Sequence, residues 1–277
     1  MNIRPIVIMT ALMLFLTGCT AGQTTTSDGR EIIQIALSAE VNPPFLFTGE
    51  NNEPQGYNMD YFNTVQKKLP QYHFTYVWGE EESNLIGVGA GKFDIAANWF
   101  FSNPEREEKF LYPDTAYGYS MTGLIVHKDN ADITSLDDMT DKALAPVSGS
   151  GGLRAILNAY NEANDSEVPL TTVESPSNEH NLQRVESGRS DAVFLNITTF
   201  NAIQEQLKLD LKVGGIVSKE PVFLVLQPGH TTLATDINEA TEALIADGTI
   251  PELAKKWFGV DFFQDLDDIS NEGFQFE

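Results

Sequence analysis

Gly-Lys-Phe-Asp-Ile-Ala-Ala at residues 91–97 recurs loosely at 188–194 as Gly-Arg-Ser-Asp-Ala-Val-Phe. Each copy has a helical pattern before it and a strand pattern after it. Upstream of the first copy, Ile32, Ile33, Ile35 and Leu37 form a short apolar run that reads as a first strand, ending at Asn42-Pro43-Pro44, where Pro44 biases Pro43 out of helix. Met59, Phe62, Val65 and Leu69 repeat at helical spacing up to Pro70. Tyr72–Trp78 is aromatic and β-branched, a second strand. A short helix around Leu85 leads to Gly91, and Ile95–Ala97 reads as a third strand. Upstream of the second copy, Leu153, Ile156, Leu157 and Tyr160 match the i, i+3, i+4, i+7 template. Leu182 and Val185 then stop at Gly188, and Ala192–Leu195 is strand-like. Further on, Thr249-Ile-Pro-Glu252 reads as a capping box with Pro251 in the first turn, Lys255 and Lys256 in the last turn and Gly259 as the stop. Repeated β-α-β units predict α/β architecture with largely parallel sheets. Two similar halves predict two lobes, with a ligand cleft where the carboxyl ends of their strands face each other.

Composition narrows what such a molecule does. The 277 residues include 17 Lys+Arg and 40 Asp+Glu, a formal charge of −23. Nucleic-acid phosphates and anionic lipid surfaces both select basic faces, so these partners are excluded. One cysteine permits no disulfide framework and no Cys-rich metal site. His73, His127, His180 and His230 lie in separate segments without ligand spacing, so neither a metal nor a cofactor is expected. The acidity reads as a solubilising surface. Six acids lie beyond the last lysine, Lys256, and residues 263–277 read as a solvated acidic tail.

At the N-terminus, Arg4 precedes an apolar run from Ile6 to Leu16 that is too short for a bilayer span, the pattern of an export signal. Leu16-Thr17-Gly18-Cys19 resembles the lipobox of bacterial lipoproteins. That resemblance implies cleavage after residue 18, lipidation of Cys19 and a location outside the cytoplasm, held to the membrane by the lipid anchor alone. Acyl chains on one residue anchor by the arithmetic of dual acylation. Residues 19–30 read as the lipidated cysteine and a flexible tether.

The body resembles the family 3 extracellular solute-binding proteins, which deliver polar amino acids to ABC importers. The resemblance covers about Ile32–Phe263. It rests on Asn42-Pro-Pro-Phe45, Gly56-Tyr-Asn-Met-Asp60, Gly91-Lys-Phe-Asp94, Pro104-Glu-Arg106 and Lys256-Trp-Phe-Gly259, in that order. It implies a two-lobed periplasmic-binding-protein-like fold: a discontinuous first lobe (31–119 plus 228–262), a second lobe (120–227), and a two-strand hinge near Tyr119 and Leu226. It also implies a monomer that closes on a small ligand and hands it to an ABC permease, with no catalysis. The alternatives are an enzyme on the same scaffold, of the cyclic-acid dehydratase kind, and a ligand-sensing lipoprotein.

The same resemblance nominates site residues. The arginine matching Arg106 grips the ligand carboxylate, as a planar guanidinium suits; spacing alone favours an ordinary ion pair with Glu105, Glu107 or another surface acid. Ser150 and Gly151, before the Leu153 helix, match a segment that contacts the carboxylate from the second lobe. Phe45 matches an aromatic beside the ligand. Along a strand, Trp99 and Phe101 point one way and Phe100 the other; the family places ligand contacts at the first two, and Phe100 is expected in the core. Small polar residues are usual where Trp99 and Phe101 stand. The family's acidic partner for the ligand amine falls at Asn196, a neutral amide, and the aspartate often found before the Pro-Phe motif falls at Ala39. Glu40 or Asp60 is then expected to supply the charge, or else the ligand is not a simple α-amino acid. The aromatics suggest an amphipathic or sulfur-bearing ligand such as a cystine-like amino acid.

Overall fold

The computed structural model describes residues 25–38, 43–49, 53–165 and 167–265. The readings of residues 1–18 as leader, of Cys19 as lipid acceptor and of Glu40 as an ammonium partner fall outside the described residues, as does the tail beyond 265.

In chain order the elements are β1 (Glu31–Ser38), β2 (Phe47–Thr48), β3 (Pro54–Gln55), α1 (Tyr57–Lys68), β4 (Tyr72–Gly79), α2 (Glu81–Gly89), β5 (Ile95–Phe100) and α3 (Pro104–Glu107). They continue with β6 (Gly118–His127), a 3-10 turn (Leu136–Met139), β7 (Val147–Ser148), α4 (Gly152–Ala163), β8 (Thr172–Val173), α5 (Asn178–Glu186), β9 (Ala192–Asn196) and α6 (Ile197–Leu207). β10 (Leu211–Leu226), α7 (Thr231–Ala246) and α8 (Thr249–Phe258) complete the chain.

β1 shows why the first lobe has two helical layers. It pairs in parallel with β4 along its whole length and with β5 at Ile35–Leu37. Successive side chains leave a strand on opposite faces. Ile33, Ile35 and Leu37 accordingly enter a core shared with Phe62 and Val65 of α1 and Ile237 of α7. Ala36 enters a separate core with Val88 of α2, Phe93 and Phe100. A strand buried on both faces needs an almost unbroken apolar run, which Ile-Ile-Gln-Ile-Ala-Leu provides.

The repeated heptapeptide recurs in space. Gly91 and Gly188 both end a helix with left-handed backbone, φ 72° and 71°, a conformation that favours glycine. Lys92 N–H then bonds Gly87 O and Arg189 N–H bonds Arg184 O, each at 2.8 Å. The two aspartates act alike. Asp94 Oδ2 accepts from Gln34 N–H and Asp191 Oδ2 from Ala143 N–H, both at 2.7 Å. Their own amides donate to the carbonyls of the same residues, Gln34 and Ala143. Each aspartate thus locks the start of β5 or β9 to the chain segment beside it, β1 in one case and the stretch at Ala143 in the other.

The main sheet has the order β4-β1-β5-β10-β6-β9. β10 runs antiparallel to β6 from Leu211 to Val222, then antiparallel to β5 from Phe223 to Leu226. One strand therefore serves both lobes. The expected crossing near Leu226 is corrected to the neighbourhood of Glu220–Val222, because Phe223–Leu226 already hydrogen-bond within the first lobe's sheet. The other crossing, at Gly118–Ser120, lies opposite it in register.

After β10 the chain returns to α1. Tyr61 Oη lies 2.7 Å from Thr241 Oγ1, Tyr72 Oη donates to Asp236 at 2.7 Å, and Trp257 Nε1 donates to Asp60 at 2.8 Å. Three local expectations need correction. The α8 N-cap is Gly248, and Thr249 hydrogen-bonds to Asp247 instead of closing a box with Glu252. Residues 25–30 of the expected tether form a turn: Thr26 N–H bonds Arg30 O at 2.8 Å and Thr25 bridges to Glu31. The expected tail from 263 begins as packed chain, with Phe263 against Tyr119 (centroids 5.5 Å) and Gln264 O accepting from Lys219 at 2.6 Å.

Candidate functional site

Glycine 56 is what brings Phe45 to the cleft. Its φ is 118°, and a Cβ there would lie 2.5 Å from Phe45 O, so only glycine permits the approach. The first amides of α1 then reach back: Tyr57 N–H donates to Pro44 O and Asn58 N–H to Phe45 O, both at 3.0 Å. The proline turn and the Gly56 motif, eleven residues apart in sequence, thereby become one element that presents the Phe45 ring.

Trp99 meets that ring edge-on, with centroids 4.2 Å apart. Its φ of 55° is rare for a bulky residue and typical of residues held by their surroundings at binding sites. The restraints are visible. Its amide donates to Tyr117 Oη at 3.1 Å and its indole Nε1 to Asn58 Oδ1 at 3.0 Å, while Phe258 packs 5.3 Å away. Phe100 is buried in the core, as expected, and Phe101 is 46% exposed.

Phe45, Trp99 and Phe101 form one wall of a cavity of about 450 Å³. Ser120, Asn178, Glu179 and Asn196 line it from β6, α5 and β9, and Thr198, Thr199, Ala202 and Ile203 of α6 complete it. This size is in the range of small-molecule sites. Most of the remaining lining belongs to two helices and their starts. Ser177 caps α5, accepting from His180 N–H at 3.2 Å and donating to Glu179 Oε2 at 2.8 Å. Asn196 caps α6: its Oδ1 accepts from the amides of Thr198 (3.0 Å) and Thr199 (3.4 Å), and its Nδ2 donates to Ser120 Oγ at 2.7 Å. Hydrogen bonds from its own amide, first, and from the Ser177 hydroxyl hold the Glu179 carboxyl below its ordinary range.

Four of the expected site residues, Phe45, Trp99, Phe101 and Asn196, therefore meet in one cavity. Arg106 does not line it. Asn103 caps α3 by accepting from Arg106 N–H at 2.9 Å, and Pro104 occupies the first turn. The guanidinium donates to Phe101 O at 3.1 Å and lies over the Phe100 ring at 5.6 Å. The alternative ion pair with Glu105 does not form, because Glu105 is taken by Lys109 at 2.8 Å, and Glu107 is bonded by Ser102. Arg106 borders a separate surface groove with Leu85, Glu105 and Phe110. Ser150 and Gly151 are exposed, and Gly151 caps α4 at φ 93° with open space where a Cβ would stand. Gly152 shares a cavity of about 330 Å³ with Phe101 and Ser102. Phe101 is the link: it lines both cavities and its carbonyl holds Arg106.

Asp60 is engaged elsewhere, accepting from Lys256 at 2.6 Å and from the Trp257 indole. Among the described residues no group of three or more His, Cys, Asp or Glu could hold a metal ion. No described helix is long and apolar enough to cross a membrane. Sequence reasoning missed Ser120, Asn178, Glu179, Thr198, Thr199, Ala202 and Ile203. Two signals were present, since Ser177 and Asn196 are favoured N-cap residues before helical runs, and N-termini at strand ends face the cleft in this architecture.

The family described as bacterial extracellular solute-binding proteins, family 3, matches residues 33–260. The L-cystine-binding protein TcyK of Bacillus subtilis (strain 168) is 30% identical over 261 residues, covering 92% of this chain and 95% of that protein. TcyJ, an L-cystine-binding protein of the same organism, is 28% identical over 267 residues, covering 95% and 97%. Among solved structures, the probable amino-acid ABC transporter extracellular-binding protein YtmK of Bacillus subtilis matches with a TM-score of 0.68 at 26% identity, over 83% of this chain and 98% of that one. The L-cystine solute receptor of Neisseria gonorrhoeae matches with a TM-score of 0.70 at 21% identity, over 83% and 94%, a likeness of fold.

Proposed function

This chain belongs to the bacterial extracellular solute-binding proteins, family 3, and from that premise we propose that it captures a cystine-like amino acid and delivers it to an ABC permease. The observation that carries the ligand class is the aromatic wall. Phe45, Trp99 and Phe101 line the cavity together with two helix starts that carry polar side chains. Thioether and disulfide sulfur pack well against aromatic rings, whereas small hydroxyl residues at positions 99 and 101 would favour a more polar side chain. The L-cystine-binding relatives support the same reading.

Capture proceeds by closure of the two lobes about the β6/β10 pair. A ligand shifts such an equilibrium only by contacts it makes better in the closed state. Arg106, from the first lobe, and the Ser150-Gly151 start of α4, from the second, are the groups that meet on the ligand carboxylate when the lobes approach. The aromatic wall receives the side chain. Lipidated at Cys19, the protein stays at the outer face of the cell membrane, where the permease collects the ligand.

A thermal-shift screen of L-cystine, L-cysteine and the common amino acids tests this reading. A ligand at 100 times its Kd adds about 2.7 kcal/mol of stability. L-cystine is expected to give the largest shift. A larger shift with arginine or glutamate would refute the ligand class, and silence across all amino acids would refute the function.

A further inference from the structure

We propose that Glu179 holds an ammonium group of the bound ligand, taking the part that an acid at position 196 would have played. The inference rests on the amino-acid reading above and names the residue that completes its site. An ammonium entering a partly desolvated cavity needs a charged or strongly accepting partner. Asn196 is poorly placed to be that partner. Its oxygen already caps α6 through Thr198 and Thr199, and its amide nitrogen, a donor, faces Ser120. Asp60 is held by Lys256 and Trp257. Among the described residues lining the cavity, Glu179 is the only one with a formal charge, and none is basic.

The surroundings of Glu179 suit the task. Ser177 donates to its Oε2, which orients the carboxylate and leaves acceptor positions open, since an ionised carboxylate offers about four. Phe45, Trp99 and Phe101 line the same cavity, and aromatic faces attract a cation and have no affinity for an anion. A cavity with one negative charge, three aromatic side chains and no positive charge sorts the two ends of a zwitterion. The ammonium turns toward α5, and the carboxylate turns past Phe101 toward Arg106, whose guanidinium already rests on the Phe101 carbonyl.

Titration calorimetry on the full chain tests the assignment, using L-cystine and 3,3′-dithiodipropionate, the same disulfide skeleton without amino groups. E179Q preserves shape and the Ser177 contact while removing the charge. It is expected to weaken L-cystine about tenfold or more, the size of a charge-assisted hydrogen bond, and to change the deaminated analogue less than about twofold. L-cystine affinity unchanged in E179Q, or falling by the same factor for both ligands, overturns the proposal while leaving amino-acid binding intact. So does a loss of L-cystine binding in E40Q with none in E179Q. Failure of the unaltered protein to bind any amino acid overturns the functional reading and this inference together.

Discussion

Replacing Trp99 with phenylalanine isolates one hydrogen bond at the cleft wall. Asn58 is 1% exposed, and its Oδ1 accepts from the Trp99 indole at 3.0 Å. W99F keeps an aromatic ring against Phe45 and Phe258 but leaves that buried amide oxygen without this donor. Stranding a buried polar group costs about 1–3 kcal/mol, and the smaller ring adds about 1 kcal/mol of lost burial. The reciprocal change, N58L, strands the indole N–H, but Trp99 borders the cavity, where water reaches it, so that half should cost less. The double variant removes both partners and should be less destabilised than the sum, with a coupling of about 0.5–3 kcal/mol. Urea unfolding followed by far-UV circular dichroism measures all three, since tryptophan emission changes in W99F itself. Additivity within about 0.5 kcal/mol would show that the bond contributes nothing and would refute the reasoning.

The buried Tyr61–Thr241 pair ties α1 to α7 across the interruption of the first lobe. Thr241 gives its proton to Ile237 O at 2.7 Å, so Tyr61 is the donor. T241V, which strands the buried tyrosine hydroxyl at about 1–3 kcal/mol, should therefore destabilise more than Y61F at about 0.5–1.5 kcal/mol, as read by thermal unfolding. R106A is expected to lose about 1.5–3 kcal/mol of ligand affinity by calorimetry, and R106K to recover only part, because a lysine lacks the bidentate fork. The Thr134 amide above all, with the Ser135 amide and both hydroxyls, holds the Asp138 carboxyl below its ordinary range. A carboxyl with a depressed folded-state pKa contributes stability above its unfolded pKa and loses it as pH falls through the folded one. D138N should thus lower stability at neutral pH and flatten its fall on acidification, measured as Tm against pH. C19A should release the protein from membranes into the soluble fraction, and continued membrane association would contradict lipidation at that residue.

Local signals carried the elements far. Ile33, Ile35, Leu37 and the Met59–Val65 stripe announce a buried strand and an amphipathic helix, because their periodicity is set by backbone geometry alone. The Gly-x-x-Asp repeat announced two lobes for the same kind of reason: a left-handed glycine and an aspartate bonding the adjacent segment are short-range requirements. The misread capping box at Thr249 failed because a competing acceptor, Asp247, stands two residues away and its bond is equally local.

The site divides along the same line. The sequence by itself determined the two-lobed α/β class, the presence of Phe45, Trp99, Phe101 and Arg106 near the strand ends, and the absence of an acid at position 196. Only the tertiary structure decided that β10 serves both lobes, that Asn196 spends its amide on capping α6 and on Ser120, and that Glu179 lines one cavity with Phe45, Trp99 and Phe101. The cap itself is local, but the other facts, and the hold of Asn196 on Ser120, depend on contacts between segments more than 70 residues apart. No periodicity encodes such contacts. They exist once burial has brought the two lobes' strand ends to face each other.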